Sequence, residues 1–342
     1  MKRKFRMQCF LVMRRYWRGE LGIVGKFLDN LFLPLEVLYR AIVNCRVWLY
    51  RHRWLPSVNL IPTVVSVGNL AVGGTGKTPF SRWIYEQSLK LGHVPGVISS
   101  SLARDEHELH KYWNPGGLFI NAKSKARGAC EAFSRGADLI IVDDGFQHLS
   151  LERDIDVLLI AAEHRSFRKC FPRGLMRESF DSLKRADVVI VTRKIADKAI
   201  AHELVAEIGS YIPNDKIGQV YLKPSSWIDI RGNEVSRPVG RSLVFTSIAE
   251  PETFIEVLDS VTQIKSNTIV YPDHYQYKEA DVKLLREVAE GCNMVTTEKD
   301  AVKLRGFEDL LDDLAILRLD LEWEKGEANL IKLLGDQGDH LG

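Results

Sequence analysis

Leu35, Leu38, Ile42, Cys45 and Leu49 follow one another at spacings of three and four residues. That spacing collects them on one face of a helix, with Arg40, Arg46, Arg51 and Arg53 off the stripe. The stretch "LFLPLEVLYRAIVNCRVWLYRHRW" is therefore expected to form a basic amphipathic helix. Its apolar face has two possible uses: packing on its own domain, or lying on an anionic membrane surface. Beyond Pro56 the pattern changes to short β-branched runs, "TVVSVGN", "VPGVISS", "ADLIIVDD", "IDVLLIAA" and "ADVVIVTR". Helical stretches such as "PFSRWIYEQSLKLG" and "SKARGACEAFSRG" separate them, which is the alternation of a parallel sheet built from βαβ units. Because the runs are almost continuously apolar, both faces of that sheet are expected to be covered.

A second α/β series follows the helical stretch "DKAIAHELVAEIGSYI". "QVYLKPSSWIDIRGNEV" reads as a hairpin-like connector with turn residues in "RGN", and after it come the runs "SLVFTSI", "NTIVYPD", "NMVTTEK" and "LAILRLDLEW", with helices between them. The expected architecture is a mostly parallel α/β sheet domain over 58–216, a smaller α/β domain over 217–342 entered through a hinge, and a basic amphipathic segment over 1–57. A chain of 342 residues has room for two such units.

Composition narrows the class. Hydrophobic residues make up 45% and charged residues 27%, ordinary for a folded globular chain. A net charge of +2 gives no reason to expect nucleic acid. The charge is uneven, however: Lys2, Arg3, Lys4, Arg6, Arg14, Arg15 and Arg18 all precede the first acidic residue, Glu20, with Phe5, Phe10, Leu11, Tyr16 and Trp17 among them. Five scattered cysteines without a CxxC pair point to a reducing compartment. Asp29, Glu36, Arg40 and Arg46 interrupt the most hydrophobic zone, so no run approaches the roughly 18 apolar residues of a spanning helix.

The first candidate chemistry lies in "SVGNLAVGGTGKTPF". A strand precedes it and a helix follows, as a phosphate-binding loop requires, although Ala71 stands where the strict pattern begins with glycine. Gly73, Gly74 and Gly76 allow backbone N–H groups, with that of Thr75, to converge on phosphate oxygens, and the helix N-terminus adds partial positive charge. Lys77 is then expected to neutralise the β- and γ-phosphates of ATP and Thr78 to ligate Mg²⁺. Asp143 and Asp144 end the buried run "ADLIIVDD", where carboxylates meet the metal in a nucleotide site of this kind. "HELH", His107 to His110, lacks the H-E-x-x-H spacing of a zinc helix and reads as an exposed helix face.

In order and spacing, "SVGNLAVGGTGKTPF", "DDGFQH", "RGLMRESFDSLKRADVVIVTRK", "YPDHYQY" and "TTEKDAVKL" resemble the tetraacyldisaccharide 4′-kinases of lipid A synthesis, over roughly 31–320. The resemblance implies a P-loop NTPase-like fold and ATP-dependent phosphorylation of the 4′-hydroxyl of a tetraacyldisaccharide 1-phosphate. It further implies peripheral attachment to the anionic cytoplasmic face of the bacterial inner membrane. Carried over residue by residue, it implies Asp105 as the base that accepts the hydroxyl proton, His274 as its partner from the other domain, and Glu106 as a further Mg²⁺ ligand. Arg173 and Arg177 are implied phosphate contacts. Where the family has "SRGYG" and a longer loop after the second strand, this chain runs directly through "VISSSLARDEHEL". No obligate protein partner is expected. Two other functions are open to the same motifs: a P-loop NTPase or kinase of another substrate, and a nucleotide-binding scaffold with impaired catalysis.

Overall fold

A computed structural model describes residues 12–336 apart from 14, 18, 165–167 and 263–264. The basic arm formed by Lys2, Arg3, Lys4, Arg6, Arg14 and Arg18, with Phe5, Phe10 and Leu11, lies outside the described residues.

The long helix α1 (Gly22–Arg51) leads into alternating strands and helices: β1 (Thr63–Asn69), α2 (Lys77–Lys90), β2 (Pro95–Ser100), α3 (Arg104–Trp113), β3 (Leu118–Ala122), α4 (Lys125–Ser134), β4 (Leu139–Asp143), β5 (Ile155–Ala161), β6 (Val188–Arg193) and α5 (Lys198–Ile208). The second series is β7 (Ile217–Ile228), β8 (Arg241–Thr246), α6 (Pro251–Val261), β9 (Lys265–Val270), α7 (Glu279–Ala289), β10 (Asn293–Thr297), α8 (Glu298–Ala301), β11 (Leu314–Lys325) and α9 (Glu327–Asp336).

Among the described residues, eleven strands form one sheet, in the order β3-β2-β4-β1-β5-β6-β7-β11-β10-β8-β9. Every neighbouring pair is parallel except β7 with β11, where the direction reverses. The expected boundary at 216/217 thus falls at the start of a strand that hydrogen-bonds to both arrays. The end of the connector does turn back on itself as read, with Asp229 N–H donating to Asn233 O and Val235 N–H to Trp227 O, each at 2.9 Å. Its main body, however, pairs with β11 across almost a hundred residues of sequence.

Alternating side chains fill both faces of the first array. Val65, Val67, Phe80, Ile84, Leu139 and Ile141 pack on one side, and Leu158, Val189, Leu204 and Ile208 on the other. The second array is covered in the same way, by Leu243, Phe245, Val282 and Leu285 on one face and Val244, Phe254, Leu258 and Val295 on the other. The chain then returns: Leu330 and Leu334 of α9 join the cluster of Phe80 and Ile155, so by packing α9 lies with the first array.

Helix α1 docks through polar anchors rather than through its apolar stripe. Glu36, buried, accepts from Cys170 N–H at 2.8 Å and from Arg173 Nη1 at 3.0 Å. Asp29 binds Lys169 Nζ at 2.7 Å, Tyr39 Oη donates to Arg177 O at 3.0 Å, and Arg46 Nη1 donates to Gln147 O at 3.1 Å. The opposite stripe faces outward, with Phe27 66%, Leu31 53%, Leu38 57% and Ile42 59% exposed. Among the described residues no helix is long and apolar enough to cross a membrane.

Candidate active site

The glycine loop leaves β1 at Asn69 and enters α2 at Lys77, as its sequence requires. Gly76 takes φ +84 at the helix entrance, and a Cβ there would lie 2.5 Å from Leu222 Cδ1. Side chains from several elements hold the loop. Asn69 Nδ2 donates to Thr75 Oγ1 at 2.9 Å, Thr192 Oγ1 donates to Thr75 O at 3.0 Å, and Val72 N–H donates to Leu175 O at 2.9 Å. Ala71, in place of the usual glycine, pairs as an isolated antiparallel bridge with Met176. The "RGLMRES" segment therefore buttresses the loop's first half.

Asp143 ends β4, beside β1, and Asp144 follows in the left-handed region at φ +53. Lys77 Nζ lies 3.6 Å from Asp144 Oδ1, and Arg177 grips the same carboxylate at 2.8 and 3.1 Å. Burial alone would raise the Asp144 pKa, but Lys77 and Arg177 hold it well below the usual carboxylate range. Arg177 thus pairs with an acidic residue of the site, and Arg173 with Glu36 of α1. Asp143 is fully enclosed. Against the effect of burial, His110, Lys125 and Lys77 keep it ionised. His110 Nε2 is 3.5 Å from Asp143 Oδ2, while Oδ1 is buried without a hydrogen-bond partner. An unsatisfied buried carboxylate oxygen beside a glycine loop fits a cation. Among the described residues no three His, Cys, Asp or Glu side chains gather closely enough to hold a metal by themselves. Mg²⁺ bound through one or two carboxylates, the Thr78 hydroxyl and substrate phosphates suits that donor set.

The second part of the site joins the two arrays. Asp105, on the first turn of α3, is buried, and His274, in the loop after β9, places Nδ1 2.8 Å from its Oδ1 and 2.9 Å from its Oδ2. Lys299 and Lys303, four apart and hence on one side of their segment, each bring Nζ to 3.8 Å from Asp105 Oδ2. Burial would raise the Asp105 pKa, but the His274 hydrogen bond and the two lysines bring it down to about 2, while the His274 pKa is raised chiefly by the same hydrogen bond. The direct run "VISSSLARDEHEL" does not keep Asp105 from His274. Glu106, an expected metal ligand, binds Lys299 Nζ at 3.0 Å.

One expectation is overturned. His107 and His110 are both buried, not exposed on a helix face. Helix α3 is packed between β2, β3 and α8: His110 is enclosed beside Asp143 and Phe119 of its own array, while Asp105, Glu106 and Trp113 pair with side chains of the second array. Trp113 Nε1 donates to Glu298 Oε1 at 3.0 Å, and the Arg305 guanidinium lies 4.4 Å from the Tyr112 ring centre.

Several side chains at the site went unread in the sequence. Lys125 is buried, and its Nζ donates to Asp143 O at 2.7 Å and to Ile98 O at 2.9 Å. The four-residue spacing of Lys299 and Lys303 in "TTEKDAVKL" was a usable signal. Lys194 and Glu250, which meet at the glycine loop, carry no local signal.

The family model described as tetraacyldisaccharide-1-P 4′-kinase matches residues 28–115 and 118–337. The tetraacyldisaccharide 4′-kinase of Syntrophotalea carbinolica is 33% identical over 317 residues, covering 84% of this chain and 86% of that relative. The corresponding protein of Bdellovibrio bacteriovorus is 31% identical over 313 residues, covering 83% and 91%. The crystal structure of LpxK from Aquifex aeolicus, described as in complex with ATP, superposes with a TM-score of 0.70 at 24% identity, covering 91% of this chain and 99% of that one. That superposition shows a shared fold. With the family match over most of its length and these relatives, the chain belongs to the tetraacyldisaccharide-1-P 4′-kinase family of lipid A synthesis.

Proposed function

We propose that this kinase takes its phosphoryl group from ATP held with Mg²⁺ at the glycine loop and passes it to the 4′-hydroxyl of a tetraacyldisaccharide 1-phosphate. The observation that carries the reading is that one helix serves both halves of such a reaction. Helix α3 bears Asp105, paired with His274, at its start and His110, beside Asp143, further along. In this reading the N–H groups of Gly73, Gly74, Thr75 and Gly76 and the ammonium of Lys77 bind the phosphates. Thr78, Asp143, Asp144 and Glu106 would hold Mg²⁺, which when bound supplies charge neutralisation at the β- and γ-phosphates. Glu106 would exchange Lys299 for the ion.

Asp105 accepts the proton of the 4′-hydroxyl, and His274 orients its carboxylate. A carboxylate with so low a pKa is a weak base. Phosphoryl transfer through a loose transition state asks little of the base until the hydroxyl oxygen has begun to bond phosphorus, so positioning matters more than basicity. In this reading the first array supplies Asp105 and Asp143 and the second supplies His274.

The lipid acceptor has its acyl chains in a bilayer, so the kinase must work at that surface. The outward stripe of Phe27, Leu31, Leu38 and Ile42, with Arg40, Arg46 and Arg51 on the same helix, supports attachment of α1 to the anionic cytoplasmic face of the inner membrane. The test is an ATP-dependent assay on tetraacyldisaccharide 1-phosphate with and without EDTA, with Lys77→Met as control. Product phosphorylated at the 4′ position, lost with EDTA and with Lys77→Met, is expected. Folded wild-type protein that hydrolyses ATP without forming this product would overturn the assigned acceptor.

A further inference from the structure

Glu250 precedes α6 in the second array, yet its side chain does not cap that helix. It reaches the glycine loop of the first array instead. There its Oε1 lies 2.6 Å from His164 Nε2, and Gly74 N–H is among the groups that lower its pKa. Its Oε2 lies 4.0 Å from Lys194 Nζ. The approach is close enough that a Cβ on Gly73 would lie 2.1 Å from Glu250 Oε1. Lys194 is itself fixed: its Nζ donates to Gly74 O, and Glu163 Oε1 accepts from the backbone N–H groups of Lys194, Ile195 and Ala196 at 2.6, 3.0 and 3.2 Å.

A carboxylate in this position has the chemistry of a phosphate oxygen pair, with anionic acceptors facing a backbone N–H of a glycine loop and two basic side chains. Burial would raise the Glu250 pKa, but the His164 hydrogen bond and the nearby His164, Lys194 and Gly74 N–H lower it to about 2, so the group is a full anion at neutral pH. A triphosphate and an ionised glutamate cannot share these donors, because like charges at contact repel strongly.

We propose that the Glu250 carboxylate competes with the nucleotide's terminal phosphate for the glycine loop, and that Lys194 and His164, which hold the carboxylate, become ligands of that phosphate when Glu250 withdraws. The inference rests on reading the loop as the ATP site. It ties nucleotide entry to the second array, because Ser247, three residues before Glu250, accepts the His274 N–H at 3.2 Å. Withdrawal of Glu250 therefore pulls on the end of β8, to which the loop carrying His274, the partner of Asp105, is tied by that hydrogen bond. Apparent ATP affinity in such a system is reduced by the fraction of molecules in which the internal anion occupies the seat.

The experiment is calorimetric titration of the full chain with Mg·ATP and with Mg·ADP. Glu250→Gln keeps the size of the side chain and removes its charge. It is expected to lower the ATP dissociation constant by about tenfold or more, with a smaller gain for ADP. Lys194→Met is expected to weaken ATP binding by about tenfold. If Glu250→Gln does not fold, Glu250→Asp, which retracts the charge by one methylene, is expected to give a smaller gain in the same direction. Unchanged or weaker ATP binding in the folded Glu250 variant overturns the competition. Undiminished binding in Lys194→Met overturns the ligand assignment. If wild type and variants alike fail to bind ATP, the nucleotide reading itself falls and takes this inference with it.

Discussion

Asp105 and His274 are 169 residues apart in sequence, yet both carboxylate oxygens of Asp105 lie within 2.9 Å of His274 Nδ1. One belongs to the helix after β2 and the other to the loop after β9, so the contact exists only when the two arrays face each other. Asp105→Asn is expected to lower kcat by about 10²- to 10⁴-fold while ATP still binds. His274→Ala should cost less, and the double variant no more than Asp105→Asn alone, the pattern of groups that act as a unit. Steady-state kinetics on the lipid acceptor measures this; losses that multiply independently would dissolve the pair.

Glu36 fastens α1 to the body of the protein. Glu36→Ala removes a buried acceptor, strands Cys170 N–H and leaves the Arg173 guanidinium with Asp29 as its remaining carboxylate. The expected loss is about 3 kcal/mol in urea unfolding. Glu36→Gln, which keeps an acceptor for Cys170 N–H, should lose less.

The outward stripe of α1 makes a separate prediction. Phe27→Glu combined with Leu31→Glu alters side chains that already face solvent, so the fold should be unaffected. Binding to vesicles containing anionic lipid should fall by at least about tenfold, since each apolar side chain of this size contributes roughly 1.5–3 kcal/mol on leaving water. Added salt should weaken wild-type binding as well. Vesicle co-sedimentation decides; indifference to both changes would leave the stripe without a lipid role.

Glu298 carries a pH-dependent penalty. Burial raises its pKa above the ordinary 4.5, although the Trp113 hydrogen bond and the nearby Arg318 and Arg82 oppose the shift. The folded protein therefore holds this proton more tightly than the unfolded chain does. Its contribution to stability is greatest at low pH and declines as pH rises from 4.5 through the raised value. Glu298→Gln retains an acceptor for Trp113 and removes the charge. It should raise Tm by roughly 1–3 °C at pH 7 to 8 and have no effect near pH 4. A variant that melts lower at neutral pH would mean that the pair with Arg318 outweighs burial.

What could be read in advance divides by distance along the chain. The strand, loop and helix around Gly73, Gly76 and Lys77, and the strand ending at Asp143, are local patterns with local causes, and they stand where periodicity puts them. The amphipathic stripe of α1 was legible too, but not its orientation, because the docking face is recognised by partners such as Cys170 and Arg173, far off in sequence. His107 and His110 were misread for a related reason. Polarity marks exposure only when the partners of a polar group are water, and His110 is instead enclosed beside Asp143 and stacked on Phe119, both of its own array. Asp105 and His274 could be paired only through the family resemblance, and the contact of Glu250 with Gly73 and Gly74 has no signature in either segment.

The reversal of strand direction between β7 and β11 has a mechanical meaning. Two arrays joined by a loop would swing freely, but two arrays joined by a long hydrogen-bonded ladder, its register shifted at Leu317/Leu319 and at Trp323/Lys325, approach or separate by changing the twist of that ladder, as an elastic torsion bar. Its restoring force opposes any displacement, while the charged contacts at the far ends, Asp105 with His274 and Glu250 with His164, act as catches that hold one setting. Opening and closing would then be graded by how many catches are engaged. Catches made of ion pairs are released by charges carried on the very molecules the kinase handles.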